Sequence, residues 1–320
     1  MGFTNRLTLM KKILTVAVAA LLAMCSGALQ AQTAQYSIDL EPFSGVAISG
    51  PFEVSLVHGT QYRALITVLE PYKEYVVCSV SGGILKLDLD EKKVPSEIKK
   101  QFRGKGTPDP IYKAVVYVPE LLRSVELSEK AILHDTEDLF DKARVTFSLE
   151  GNSSVKSMNI SSLVFVLDMK GKSSADFAID GRKCEVSIAG SSSLNLKAEE
   201  EECELSLQGS SKLEANCRAK KFSLSAKGNS NSTITGTADE AVFQMAGTSE
   251  ANAQRMDVAA ADVQMSSVCT LSINAIQTLK VNLNGGSTLL FGGEPSIIVD
   301  NIRSATMSRL KTLSNSSGRL

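Results

Sequence analysis

From about residue 143 the chain alternates apolar and polar positions, and the alternation restarts at a regular interval. The residues two, four and six positions before each restart are mostly apolar, which places them on one face of a β-strand. Two residues after the restart stands a serine in seven of the eight repeats, and Cys269 in the other. The restarts are marked by Gly151, Gly171, Gly190, Gly209, Gly228, Gly247, Ser267 and Gly285.

These eight anchors are separated by 20, 19, 19, 19, 19, 20 and 18 residues. A fixed period of this length indicates a solenoid. Each repeat reads as a strand, a Gly–x–Ser bend, a second strand and a polar turn, whereas a leucine-rich repeat would need a convex segment and an Asn ladder. We therefore predict a parallel β-helix of about eight 19-residue turns over residues 141–305. The usual crossover rule favours a right-handed one.

Residues 36–140 also carry strand patterns but lack the 19-residue period. Their short connections favour antiparallel neighbours. We expect an antiparallel, sandwich-like module that caps the first turn of the β-helix, because an uncovered solenoid end exposes a sheet edge. The charged stretch 91–110 is expected to be a loop, and residues 306–320 a polar tail. The whole is an all-β protein.

Residues 1–31 have a different character from the rest of the chain. Lys11 and Lys12 precede an apolar run that is followed by small residues ending at Ala31. This pattern predicts a secretory signal peptide. No later segment reaches about 18 uninterrupted apolar residues, the length a membrane-spanning helix needs. We expect an exported protein, in the periplasm, at the cell surface or secreted, with membrane attachment only if Cys25 is lipidated.

Composition adds two constraints. The chain has no Trp, 5% aromatic residues and a formal net charge of −1, so it suits a thin repetitive core and nothing favours binding of nucleic acid. Five cysteines follow the leader, an odd number at irregular spacing, which does not indicate a disulfide framework. Cys184 and Cys203 occupy equivalent inward positions of neighbouring repeats, where a pair of buried thiols is favoured over a disulfide.

Three segments outside the repeats, together with the Gly–x–Ser repeats, resemble a known family. The segments are FSGVAISGPFEV at 43–54, GGILKL at 82–87 and YVPEL at 117–121. They are similar to the putative auto-transporter adhesin, head GIN family of secreted proteins from Bacteroides-type bacteria. The resemblance covers about residues 36–305, and it implies an all-β fold with a β-helix and a cell-envelope location. It implies no particular site residues.

Enzymatic chemistry is weakly represented. The only histidines are His58 and His134, and neither lies in a pattern typical of a catalytic triad. The serines after the bends are interpreted as bend residues that bond to backbone. Polysaccharide lyases with this fold need clustered carboxylates, and here only Glu185 and Glu204 lie one turn apart, too few oxygens for Ca²⁺. The acidic run 199–202 is expected to be a solvated corner. We predict no enzyme, no cofactor and no metal.

One outward column stands three residues before the anchors and is nearly uncharged. It predicts a flat face rich in hydrogen-bonding groups, suited to a glycan or another extended surface; the competing interpretation is that parallel sheets simply tolerate small polar residues there. The candidate binding residues are Ser187, Ser206, Ser225, Gln244 and Gln264.

The leading hypothesis is an exported, non-enzymatic, adhesin-like module that binds a glycan or an envelope or host surface protein. A second hypothesis is a structural envelope scaffold that oligomerises through solenoid ends or sheet edges and has no discrete ligand. A third is a glycan-active β-helix enzyme, which the missing acidic and basic cluster disfavours.

Overall fold

The computed structural model of the 320-residue chain describes residues 33–102, 110–134 and 139–310. The predicted signal peptide, Cys25 and residues 311–320 of the predicted tail lie outside this part. The first strands are β1 (Thr33–Asp39), β2 (Gly45–Ile48), β3 (Glu53–His58), β4 (Arg63–Leu69), β5 (Val76–Ser81), β6 (Ile84–Leu89), β7 (Tyr112–Val118), β8 (Ser124–Leu127) and β9 (Ile132–Leu133).

The repeat region is built from longer strands. They are β10 (Arg144–Leu149), β11 (Ser154–Met169), β12 (Ser174–Ile188), β13 (Ser193–Leu207), β14 (Lys212–Ala226), β15 (Asn231–Met245), β16 (Glu250–Met265), β17 (Thr270–Asn284), β18 (Thr288–Gly292), β19 (Ser296–Arg303) and β20 (Thr306–Arg309). Among the described residues of the N-terminal part there are two short helices, a 3-10 helix at Glu70–Tyr75 and α1 at Ser96–Gln101. The latter falls within the stretch expected to be a loop.

The strands of the repeat region pair in parallel, as predicted. Each long strand pairs with the strand one repeat before it and the strand one repeat after it, so that Leu194 aligns with Leu213, and Leu205 with Leu224. The polar turn expected at the end of each repeat, which corresponds to residues 197–202, 218–221 and 237–240 in three of them, does not interrupt the strands: β13, β14 and β15 run through these positions. The backbone therefore changes direction within each strand, while buried and exposed side chains continue to alternate.

The parallel solenoid has about ten turns rather than eight. One additional turn precedes Gly151 and contains β8 and β9, and another follows Gly285 and contains β19 and β20. Their bends use Glu129, at φ 58°, and Ser304, at φ 54°. The glycine pattern misses both turns because a non-glycine residue adopts the left-handed conformation in each.

The glycine column has two physical causes. Gly209 has a φ of 79°, a region that side chains rarely adopt. A Cβ at Gly209 would also lie 2.8 Å from the carbonyl oxygen of Gly190 in the preceding turn. The positive φ and the close approach of the preceding turn therefore both favour glycine. Because every turn repeats these two conditions, glycine recurs at a regular interval in the sequence.

The interior is narrow and filled by the predicted inward columns. Phe147, Phe165 and Phe177 are buried and contact one another, with ring centroids 5.0–5.8 Å apart. Phe222 and Phe243 form a second aromatic contact at 5.7 Å. These inward side chains are buried, so the side chains of the repeat region that a ligand could reach lie on its outer surface.

The N-terminal part continues the stacking instead of forming a separate sandwich. β2 lies between β6 and β8, and β3 lies between β7 and β9, all in parallel. Antiparallel pairing, as expected, is found where β4 joins β7 and β5 joins β6. The β2–β3 bend at Gly50 has a φ of 74°, like the repeat bends. The period is hidden here because the stacking order departs from the chain order.

Candidate functional site

The predicted binding residues form one straight column on the outside of the β-helix. Ser187 aligns with Ser206, Ser206 with Ser225, Ser225 with Gln244, and Gln244 with Gln264. Parallel strands place such partners about 4.8 Å apart, so the five residues span roughly 20 Å. We call this column the polar face. Its alignment follows the sequence register, while its binding role stays a prediction.

The polar face is accessible and lies beside two shallow grooves. Ser225 is half-buried, and the other four residues are exposed. A groove of about 610 Å³ runs along the three serines, with Glu185 and Glu204 on its other side. A second groove of about 360 Å³ lies beside Gln244 and Gln264. Both are open troughs suited to an extended ligand rather than enclosed cavities.

Toward the C-terminal end the polar face joins a network of amides. Gln264 aligns with Asn282, and Asn282 with Asn301. The Oδ1 atom of Asn282 accepts hydrogen bonds from Nδ2 of Asn284 at 3.0 Å and from Nδ2 of Asn301 at 3.4 Å. These bonds hold the amides in place, and such preorganised groups would lower the entropic cost of binding a ligand.

The two acids beside the first groove, Glu185 and Glu204, both form ion pairs with Lys183. Lys183 Nζ lies 2.8 Å from Glu185 Oε1 and 3.2 Å from Glu204 Oε1. The hydrogen bonds to Glu185 and Glu204 raise the pKa of Lys183, so the bridging ammonium stays charged. Within the described ranges, no group of three or more His, Cys, Asp or Glu side chains could hold a metal ion.

The serines that follow the bends are buried structural residues. Ser192 Oγ donates to the carbonyl oxygen of Ala189 at 3.0 Å, and Ser249 Oγ to that of Ala246 at 3.0 Å. Ser173 Oγ donates to Ser192 Oγ at 3.1 Å. Other members of the column are equally buried without a hydrogen-bond partner, among them Ser211. Such enclosed hydroxyls are not placed to attack a substrate.

One acidic residue of the corner lies inside the molecule. Glu200 is only 7% exposed, and neither of its carboxylate oxygens has a hydrogen-bond partner. Burial, with a smaller contribution from the charge of Asp180, raises the pKa of Glu200 to about 7. The expectation of a solvated corner at 199–202 is therefore wrong for this residue. Strict alternation from Ala198 would have predicted its inward orientation.

Three buried thiols lie near one another. Cys184 and Cys203 align on neighbouring turns, as the register predicted, and both are free and buried. Cys217, which the sequence did not connect with them, brings its Sγ to 3.8 Å from Cys203 Sγ. A hydrogen bond with Cys184, together with burial, raises the pKa of Cys203 well above its usual value. A protonated, buried thiol is a poor nucleophile.

Comparison with protein families gives a clear match to this architecture. The model of the family described as "Putative auto-transporter adhesin, head GIN domain" matches residues 42–217 and 185–295. The chain belongs to this family. The match confirms the resemblance seen in the three N-terminal segments and the repeats, and it supports an adhesin-like role and an exported or surface location.

Among solved structures, similar proteins come from two Parabacteroides species. A putative adhesin from Parabacteroides merdae is 14% identical, with a TM-score of 0.46. A putative adhesin from Parabacteroides distasonis is also 14% identical with a TM-score of 0.46, and a putative lipid binding protein from that organism is 19% identical with a TM-score of 0.41. Each comparison covers 88% of this chain and 98% of the other. No curated protein matches the chain.

The structure also bears on membrane crossing by helices. In the part of the chain that it describes, neither the length nor the apolar character of any helix would suffice to cross a bilayer.

Proposed function

We propose that this chain is an exported, non-enzymatic adhesin-like protein whose polar face binds a glycan or a surface protein of the envelope or host. The observation that carries the proposal is the polar face itself, five uncharged hydrogen-bonding residues in register from Ser187 to Gln264. Repeated weak contacts along one line add up, because each further contact is made at high effective concentration.

The surroundings of the polar face support binding rather than catalysis. The acids that line the groove beside its serines are all paired with lysines: Asp168, which aligns with Ser187, with Lys170, and Glu185 and Glu204 with Lys183. A glycosidase needs two carboxyl groups free to act as acid and as base or nucleophile. The predicted leader at residues 1–31 and the family membership support export.

The proposal is tested by introducing one large charge on the polar face and the same charge elsewhere. The mature chain is screened against a glycan array and against envelope and host-cell surface proteins, and each ligand found is tested again with Ser206→Arg. The matched control is Asn216→Arg, another exposed, uncharged position in the middle of a strand, outside the polar face. We expect Ser206→Arg to weaken binding at least tenfold and Asn216→Arg to leave it unchanged. Equal effects of the two changes, or no ligand at all, would contradict the proposal.

A scaffold role is the second candidate, and a different observation favours it. Ile297, Val299 and Ile302 on β19 are 43%, 53% and 42% exposed, although they align with buried core residues of β17. They are thus core positions of the last described turn. If the chain assembles through this end, light scattering should detect oligomers that grow with protein concentration, and Val299→Lys should abolish them. Val77→Lys on β5, at a position of similar exposure, is the control and should leave them unchanged.

A further inference from the structure

Two interior cysteines face each other across the β-helix. Cys203 lies in the part of β13 before the bend at Gly209, and Cys217 lies in the part of β14 after it. They therefore belong to different walls of the solenoid, and their Sγ atoms are 3.8 Å apart. Cys184 and Cys203, by contrast, are side by side on the same wall in adjacent parallel strands.

This difference decides which pair suits a covalent bond. A disulfide needs Cβ atoms about 3.8 Å apart and side chains that approach each other. Neighbours in register on parallel strands point the same way, so the Cys184 and Cys203 side chains lie side by side rather than facing each other. Cys203 and Cys217 approach from opposite walls with their sulfurs 3.8 Å apart, so the sulfurs need to close by about 1.8 Å to reach the bonding distance of about 2.0 Å.

We propose that Cys203 and Cys217 form a disulfide that joins two walls of the β-helix when the chain folds in an oxidising compartment. The timing rests on the export proposed above, whereas the choice of partners rests on geometry alone. The oxidant is a disulfide of the thiol–disulfide oxidoreductase or glutathione class. One thiolate attacks the oxidant and releases one thiol; the second attacks the mixed disulfide and releases the other. Two thiols are oxidised, and one disulfide is reduced to two thiols.

The burial of the pair determines when this reaction can occur. Both thiols are fully buried. The pKa of Cys217 lies well above its usual value because its thiol is hydrogen-bonded to Cys203 and buried, and the charge of Glu200 opposes ionisation further. Since thiolates are the reactive form, the folded, reduced protein resists oxidation. The bond must therefore form before these turns close, during folding.

Mapping by mass spectrometry tests the partners directly. The full chain is reduced in denaturant, refolded with a mixture of reduced and oxidised glutathione, alkylated in denaturant and digested with trypsin. Cleavage after Lys183, Lys197, Lys212 and Arg218 places the three cysteines on separate peptides. We expect the Cys203 and Cys217 peptides to be linked and the Cys184 peptide alkylated. A Cys184–Cys203 link, or alkylation of all three, overturns the proposal.

Variants and timing give two independent checks. Cys184→Ser, the matched buried control, should keep the link, and Cys217→Ser should lose it without creating a Cys184–Cys203 link. Oxidised glutathione added after folding should leave the thiols free. The oxidised protein should melt roughly 5 °C above the reduced one, as expected for a cross-link closing a short loop. If refolding gives the link but the chain expressed with its leader does not, the pairing stands and the proposed export fails.

Discussion

The buried carboxyl group of Glu200 makes the stability of the β-helix depend on pH. Its pKa is about 7 in the folded protein against an ordinary value of 4.5. Below pH 4.5 the group is mostly protonated in both the folded and unfolded states, so its ionisation costs no stability there. As the pH rises to about 7, the unfolded chain ionises while the folded chain keeps its proton. Stability is therefore lost across this window, and the loss is constant above it.

The size of the loss follows from the two pKa values. Each tenfold difference in proton affinity corresponds to about 1.4 kcal/mol, so a pKa near 7 instead of 4.5 costs roughly 3 kcal/mol above pH 7. Glu200 aligns with Ala219, and Ala219 with Ala238, in the next two turns. Alanine therefore already fits this inward column.

Urea denaturation at pH 5, 6, 7 and 8 measures the effect. Glu200→Gln imitates the protonated group, so its free energy of unfolding should exceed that of the wild type by less than about 1 kcal/mol at pH 5 and by about 3 kcal/mol at pH 8. Glu200→Ala should show the same slope with a constant offset for the lost side chain. Glu201→Ala is the control: hydrogen bonding to Lys220 lowers the pKa of that exposed neighbour, so no such gain is expected. A difference between Glu200→Gln and wild type that stays flat with pH would refute a buried, unpaired carboxyl group.

Three further predictions concern the bends. Gly82 has a positive φ, but a Cβ there would contact nothing, so Gly82→Ala should cost about 1 kcal/mol of unfolding free energy. At Gly209, which also has a positive φ, the Cβ would in addition lie 2.8 Å from a backbone oxygen, so Gly209→Ala should cost clearly more in the same urea assay. Ser267→Gly should stabilise by about 0.5 kcal/mol by relieving a φ of 71°, and a loss would contradict this. Ser192→Ala should cost about 2 kcal/mol, because it removes the bond to Ala189 and the bond from Ser173, while Ser211→Ala, which has no bond to lose, should be neutral or stabilising.

The register of the repeat region could be predicted residue by residue, because the stacking of turns requires the same residue type at the same position of each turn. Each anchor approaches the backbone of the previous one, as Gly209 approaches Gly190, so glycine recurs once per turn. The inward columns follow from counting back from that anchor. The register that aligns Ser187 with Gln264 through three intermediate turns was therefore available without coordinates.

What could not be predicted depends on contacts that are distant or out of order in the chain. β2 and β3 stack between elements that come later in the sequence, so no interval marks their place in the solenoid. The meeting of Cys203 with Cys217 depends on how far apart the walls are, which a repeat period does not contain. Glu200 was misjudged for a different reason: its charge was weighed above its position in the alternation.

The same stacking explains why the polar face stands apart from other outward columns. In a parallel solenoid every outward position becomes a ladder, so a neutral column could arise simply because small polar residues are tolerated. The neighbouring outward column, two residues earlier in each repeat, shows that charges are tolerated too, since it contains Glu185, Glu204, Asp262 and Lys280. Near the opposite corner, Glu201 pairs with Arg182 and Lys220 across turns. Stability therefore does not require the polar face to be neutral from Ser187 to Gln264. A neutral column favours contact with a neutral, hydrogen-bonding ligand, because each charge left unpaired would have to be desolvated on contact.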